Sequence, residues 1–88
     1  MRRLLLNAKI YITFKKGILD PQGKTIQQSL LSLGYNEIQD VRVGKIIEIK
    51  MNGLSKEEAG IKLKEICEKL LANTVIEDYR FEIDSDAV

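Results

Sequence analysis

At 88 residues the chain is too short for two independently cored units, and a core this small leaves self-association as a natural way to bury more surface. Its 14 basic and 13 acidic residues nearly cancel and are mixed along the chain, which argues against broad electrostatic binding to nucleic acid or to an anionic membrane. Histidine is absent and Cys67 is the single cysteine, so imidazole or thiolate metal clusters, Ser-His or Cys-His catalysis and an internal disulfide are excluded, as suits a reducing cytosol.

The opening MRRLLLN starts like a signal peptide, but its apolar run is three leucines long, and residues 1–7 read as a short extension. No run approaches the roughly 20 apolar residues that span a bilayer. From residue 8 to 15 the chain alternates, with Ala8, Ile10, Ile12 and Phe14 on one side and Lys9, Tyr11, Thr13 and Lys15 on the other, the pattern of a half-buried strand. Asp20 followed by Pro21 predicts a helix start, because the carboxylate can accept from unpaired backbone N-H groups and proline fits the first helical position. Ile26, Leu30 and Leu33 then share one helical face, and Gly34 supplies a left-handed stop.

Residues 38–51 read as a second extended region with Val41, Val43, Ile47, Ile49 and Met51 on one face. Lys45 breaks that pattern directly after Gly44, which predicts either a bulge or a tight turn that splits the region into a hairpin. NGLSKEE combines a turn with a capping box, Ser55 and Glu58, and Ala59, Leu63, Ile66 and Leu70 follow on one face of a helix ending near Asn73. Tyr79, Phe81 and Ile83 alternate with Arg80 and Glu82 as a last strand, and DSDAV closes the chain as a polar, fraying tail, with residues 85–88 outside the domain of residues 8–84. The order β-α-β(β)-α-β predicts an α/β chain of the α+β type, a two-layer sandwich with both helices on one face of a three- or four-stranded sheet. The other face would carry Tyr11, Thr13, Arg42, Glu48, Asp78, Arg80 and Glu82, turned to water or to a polar subunit contact.

Three stretches invite a chemical reading. KKGILDPQGKTIQ, residues 15–27, sets Gly17 and Gly23 among Lys15, Lys16 and Lys24 ahead of a helix, as a phosphate loop would. Asp20, however, places a carboxylate where the phosphate should go, and no GxxxxGK[ST] pattern is present, so a structural strand-to-helix corner is the better reading. VRVGK brings Arg42 and Lys45 beside Gly44, where they would grip a nucleotide phosphate or a partner's carboxylate, or simply be solvated. Glu77 and Asp78 point to opposite faces of a strand and so do not converge on a substrate or metal. Cys67, with no base beside it, reads as a small buried residue, and Tyr11 lacks the second stacking aromatic of a single-strand RNA binder.

YITFKKGILDPQGKTI, SLLSLGYNEIQDVRVGKIIEI and CEKLLANTVIEDYRFEI, in this order and spacing, resemble the PurS family, the small subunit of phosphoribosylformylglycinamidine synthase, over roughly residues 8–84. The chain departs in a longer start and in Thr74, where many members carry proline ahead of the last strand. The resemblance implies an adaptor with no active site of its own, a dimer or tetramer in the cytoplasm. It would join the large synthetase subunit to the glutaminase subunit so that glutamine-derived ammonia is handed over. ATP and Mg are used by the large subunit, and no cofactor or metal is expected on this chain. Gly17, Asp20, Pro21, Gly23 and Gly44 would shape the corner and bend, while Lys15, Lys16, Arg42, Lys45, Tyr79 and Arg80 are the candidate subunit contacts. The rival reading is a small-molecule sensor built like an ACT regulatory domain.

Overall fold

The computed structural model describes residues 5–86. Strand β1 (Leu5–Phe14) is followed by helix α1 (Pro21–Ser32), strand β2 (Gly44–Asn52), helix α2 (Lys56–Ile66), a π-helical turn (Cys67–Leu71) that prolongs α2, and strand β3 (Glu77–Asp86). The sheet is antiparallel with order β2-β1-β3. Because β2 and β3 both run opposite to β1, they are parallel to each other and cannot be joined by a hairpin; α2 supplies the crossover. That places α2 over the central strand, where the core forms from Leu6, Ala8, Ile10 and Ile12 of β1 against Ala59, Leu63 and Cys67. Ile47, Ile49 and Met51 of β2 and Tyr79, Phe81 and Ile83 of β3 flank it half-buried, on the faces the alternation indicated.

The α+β class and the element order are those expected, and the boundaries shift where pairing partners reach further than the local pattern shows. β1 begins at Leu5, so Leu5, Leu6 and Asn7 belong to the strand and not to an extension. Leu6 pairs with Met51 on one side and Ser85 on the other, and its buried side chain continues the Ala8, Ile10, Ile12 series. The same ladder holds Asp84 and Ser85 of the supposed tail within β3. Residues 1–4 and 87–88 lie outside the described residues.

The stretch 38–51 is neither bulged nor a hairpin, since only Gly44–Asn52 forms a strand. Residues 38–43 form an irregular connection, which removes Arg42 from the open sheet face where it was expected. The reason is a competing partner: the backbone N-H of Val43 donates to the carboxylate of Asp20 at 2.8 Å. At the next residue, a β-carbon on Gly44 would lie 2.6 Å from the Ile12 carbonyl oxygen, so only glycine lets β2 start this close to β1.

Helix α2 opens with both halves of the capping box, Ser55 Oγ accepting from Glu58 N-H at 3.2 Å and Glu58 Oε1 accepting from Ser55 N-H at 3.1 Å. Its apolar stripe runs through Ala59 and Leu63 as expected and then slips. Ala72 N-H donates five residues back to the Cys67 carbonyl at 3.0 Å, and this wider turn carries Cys67, Leu71 and Ala72 inward. Leu70, assigned to the stripe by uniform spacing, is left 79% exposed. Beyond it, Asn73 Oδ1 accepts from Val75 N-H and Glu77 Oε1 accepts from Asn73 N-H, so the turn holding Thr74 is fixed by hydrogen bonds instead of by a proline ring.

Helix α1 behaves differently. Gly23 is its only buried residue, and Leu33, expected at the end of a buried face, is 74% exposed. The chain is correspondingly drawn out, with extents of 58 × 29 × 14 Å and a radius of gyration of 17.3 Å. A compact domain of this length would have a radius near 12 Å.

Candidate subunit-contact site at the strand-to-helix corner

After β1 the chain turns through Gly17, whose φ of 87° is a left-handed value, and Ile18 N-H closes the turn on the Lys15 carbonyl at 3.1 Å. Lys15 itself donates its N-H to the Ile76 carbonyl, which anchors the corner to the approach of β3. Asp20 then caps α1 from an extended backbone, with Pro21 at the first helical position. One carboxylate oxygen accepts from Gly23 N-H at 2.9 Å and the other from Val43 N-H at 2.8 Å. The side chain is 9% exposed, and those two backbone donors, Val43 first, hold its pKa below the usual 3.8, with a smaller contribution from the Arg42 charge and burial opposing.

This carboxylate is therefore a clasp between two segments 23 residues apart in sequence. It also explains why a glycine sits three residues into a helix. A β-carbon at Gly23 would run into the Val41 carbonyl oxygen and the Asp20 carboxyl, so α1 can lie against residues 41–43 only with glycine there. The phosphate-loop reading fails on the same geometry, because the N-H groups of Gly23 and Val43 are already taken by Asp20.

Beside the clasp opens a concave pocket of about 540 Å3 with Lys15, Lys16, Lys24 and Arg42 on its walls. Of the residues expected to contact partners, the structure thus brings Lys15, Lys16 and Arg42 together. Lys45 lies apart, at a smaller recess of about 170 Å3 with Gln22 and Glu77. Tyr79 is half-buried on the helix side of the sheet, and the Glu68 carboxylate beside its hydroxyl raises its pKa to about 12. Arg80 projects to the opposite face, where its guanidinium lies 4.0 Å from the Tyr11 ring centroid and pairs with Glu82 at 3.0 Å. Ile46, opposite Tyr11 in the register, adds an exposed apolar side chain to that mostly polar face. Among the described residues no cluster of three or more His, Cys, Asp or Glu is placed to hold a metal ion, and no helix is long and apolar enough to cross a membrane.

With this geometry in view, the family model PurS, described as phosphoribosylformylglycinamidine (FGAM) synthase, matches residues 7–85. The chain belongs to the PurS family. It is 49% identical over 80 residues to the phosphoribosylformylglycinamidine synthase subunit PurS of Bacillus subtilis, covering 91% of this chain and 94% of that one. The crystal structure of Methanocaldococcus jannaschii PurS, one of the subunits of formylglycinamide ribonucleotide amidotransferase, superposes with a TM-score of 0.83 at 39% identity, over 93% of this chain and 99% of that one. A chain in the structure of PurLQS from Thermotoga maritima does so with a TM-score of 0.81 at 30% identity, over 91% and 98% of the two chains.

The chain presents three separate exposed places: the basic pocket, the Tyr11–Arg80–Glu82 face, and the apolar residues around the end of α1, Leu31, Leu33 and Tyr35. Sequence reasoning missed the third; it grouped Lys24 with Lys15 and Lys16 without counting it among the contacts, and it did not place Asp40 at the pocket. A signal for α1 was present, since Ile26, Leu30, Leu31 and Leu33 together spread wider than one stripe. Nothing local marked Asp40, which reaches the pocket only because Asp20 draws residues 41–43 onto the helix.

Proposed function

We propose that this chain is a non-catalytic adaptor subunit of an FGAM synthase complex, joining a large synthetase subunit to a glutaminase subunit so that ammonia released by one reaches the other. The observation that carries this reading is surface without a closed site. The solvent-accessible area is 6699 Å2. A compact monomer of 10.0 kDa would expose about 5,200 Å2, so roughly 1,500 Å2 is available for burial against other chains, an amount in the range of a stable interface. Part of it, the exposed apolar residues around the end of α1, is suited to a second copy of the chain, giving a dimer or tetramer. The polar places, the pocket with Arg42, the recess with Lys45 and the Arg80 face, are suited to the two larger subunits. Family membership favours this reading over an ACT-like sensor, as does the PurLQS relative. ATP and Mg would be used by the large subunit, in the cytoplasm, and none of the chemistry would fall to this chain.

The test is reconstitution. Mixing the protein with the synthetase and glutaminase subunits, with ADP and glutamine present, should give a ternary complex and glutamine-dependent amidation, and leaving this chain out should abolish the coupled reaction. Equal coupling without it would end the adaptor reading. The double charge reversal Arg42→Glu, Lys45→Glu should weaken co-purification with the large subunit at least about tenfold while the circular dichroism spectrum stays unchanged.

A further inference from the structure

The pocket beside the Asp20 clasp has a composition that subunit contact alone does not require. Lys15, Lys16, Lys24 and Arg42 border one concavity, and among the described residues none of the four is in a salt bridge. The two ion pairs formed by described residues lie elsewhere, Lys69 with Glu65 and Arg80 with Glu82. Of the two carboxylates at the pocket, that of Asp20 is occupied by two backbone N-H groups. Four cations against the two carboxylates of Asp20 and Asp40 leave the hollow with an excess of positive charge, which an anionic ligand would offset. The walls are also fixed, since the turn at Gly17 and the clasp set the backbone on both sides. Ile18 and Leu19 leave apolar surface exposed at the rim.

We infer that this pocket binds a phosphorylated small molecule, its phosphate among Lys15, Lys16, Lys24 and Arg42 and its organic body against Ile18, Leu19 and Val41. The volume of about 540 Å3 is that of a small-ligand pocket and exceeds what a bare phosphate fills. The binding mode is by side-chain charge and not by a helix N-terminus, whose donors Asp20 has taken. An extended acidic peptide fits less well, because the cations converge on a hollow and do not run along a groove.

Isothermal titration and amide NMR on the 88-residue chain without other subunits would test this with AMP, ribose 5-phosphate, inorganic phosphate and adenosine. AMP or ribose 5-phosphate should bind saturably at millimolar concentration or below and shift the amides of Gly17, Lys24 and Arg42. Inorganic phosphate should bind at least about tenfold more weakly, for want of the organic body, and adenosine should not bind. Lys16→Gln with Lys24→Gln should weaken the phosphorylated ligands at least about tenfold, the loss expected for charge-assisted hydrogen bonds, without changing the melting temperature of the free protein. No saturable binding of either phosphorylated compound, equal binding of adenosine or of inorganic phosphate, or undiminished binding by the double variant would each overturn the assignment. The measurement excludes the larger subunits, so its failure leaves the adaptor role standing, and failure of the coupled assay leaves this site standing.

Discussion

Helices α1 and α2 have similar lengths, 12 and 11 residues, and both are capped at their N-termini, yet only one of them builds the core. α2 and its π turn deliver Ala59, Leu63 and Cys67 at 0% exposure onto β1, whereas α1 buries a glycine and leaves Ile26 and Leu31 at the surface, with Leu33 and Tyr35 exposed just past its end. The geometry of a narrow sheet accounts for the difference. Three strands about 4.8 Å apart span little more than the roughly 10 Å width of one helix with its side chains, so the crossover helix covers the sheet by itself. α1 is held instead at its end, by the Asp20 clasp, and most of its apolar residues stay exposed. An amphipathic pattern in a small domain therefore does not ensure that the chain's own core covers the apolar face.

The largest effect should come from the core helix. Leu63→Ala removes a fully buried side chain facing β1 and should cost about 3 kcal/mol in urea unfolding, a change that a site as exposed as Leu33 cannot produce. Next comes the clasp: Gly23→Ala forces a β-carbon against the Val41 carbonyl and should cost about 2 kcal/mol, with amide shifts confined to α1 and residues 41–43 if the two regions are independent. If the shifts spread to Leu63 and Cys67, α1 and the core are coupled after all.

A gentler probe of the same clasp is pH. The Asp20 pKa is lower in the folded chain than its usual 3.8, so its stabilisation is fully present above that value and fades as pH falls through the still lower folded value. The stability difference between the native protein and Asp20→Asn should be constant near neutrality and shrink below about pH 4. A difference that does not change on acidification would show that the charge of Asp20 has no part in joining α1 to the loop. Smallest in the isolated fold is Leu31→Ser with Leu33→Ser, which should change intrinsic stability by no more than about 0.5 kcal/mol per site. In sedimentation the same pair should shift the protein toward the monomer. An unchanged oligomer would place the self-contact elsewhere, on the sheet face that carries Tyr11 and Ile46 or at a strand edge.

Much of the fold was legible because it is local. Ser55 and Glu58, Asp20 and Pro21, and the alternation of β1 and β3 are relations among residues within about four positions, and there the hydrogen bonds and buried faces follow the reading from sequence. The candidate site was legible in parts and not as an arrangement. Lys15, Lys16 and Arg42 were singled out from separate stretches, while Lys45, Tyr79 and Arg80, chosen on the same grounds, lie at other surfaces. Asp20 was read as a cap, and its second bond, to Val43, was invisible because it spans 23 positions.

The amino-acid order by itself determined which segments become strands and helices, where the helices start, and which face of each strand turns inward, since periodicity and capping act over a few residues. Tertiary structure alone decided how far β1 and β3 extend, why Gly23 and Gly44 must lack a β-carbon, where the α2 stripe slips by a residue, and that α1 stays uncovered within the chain. Each of these depends on which backbone or side chain arrives from far along the sequence, and close packing admits only what fits beside that neighbour.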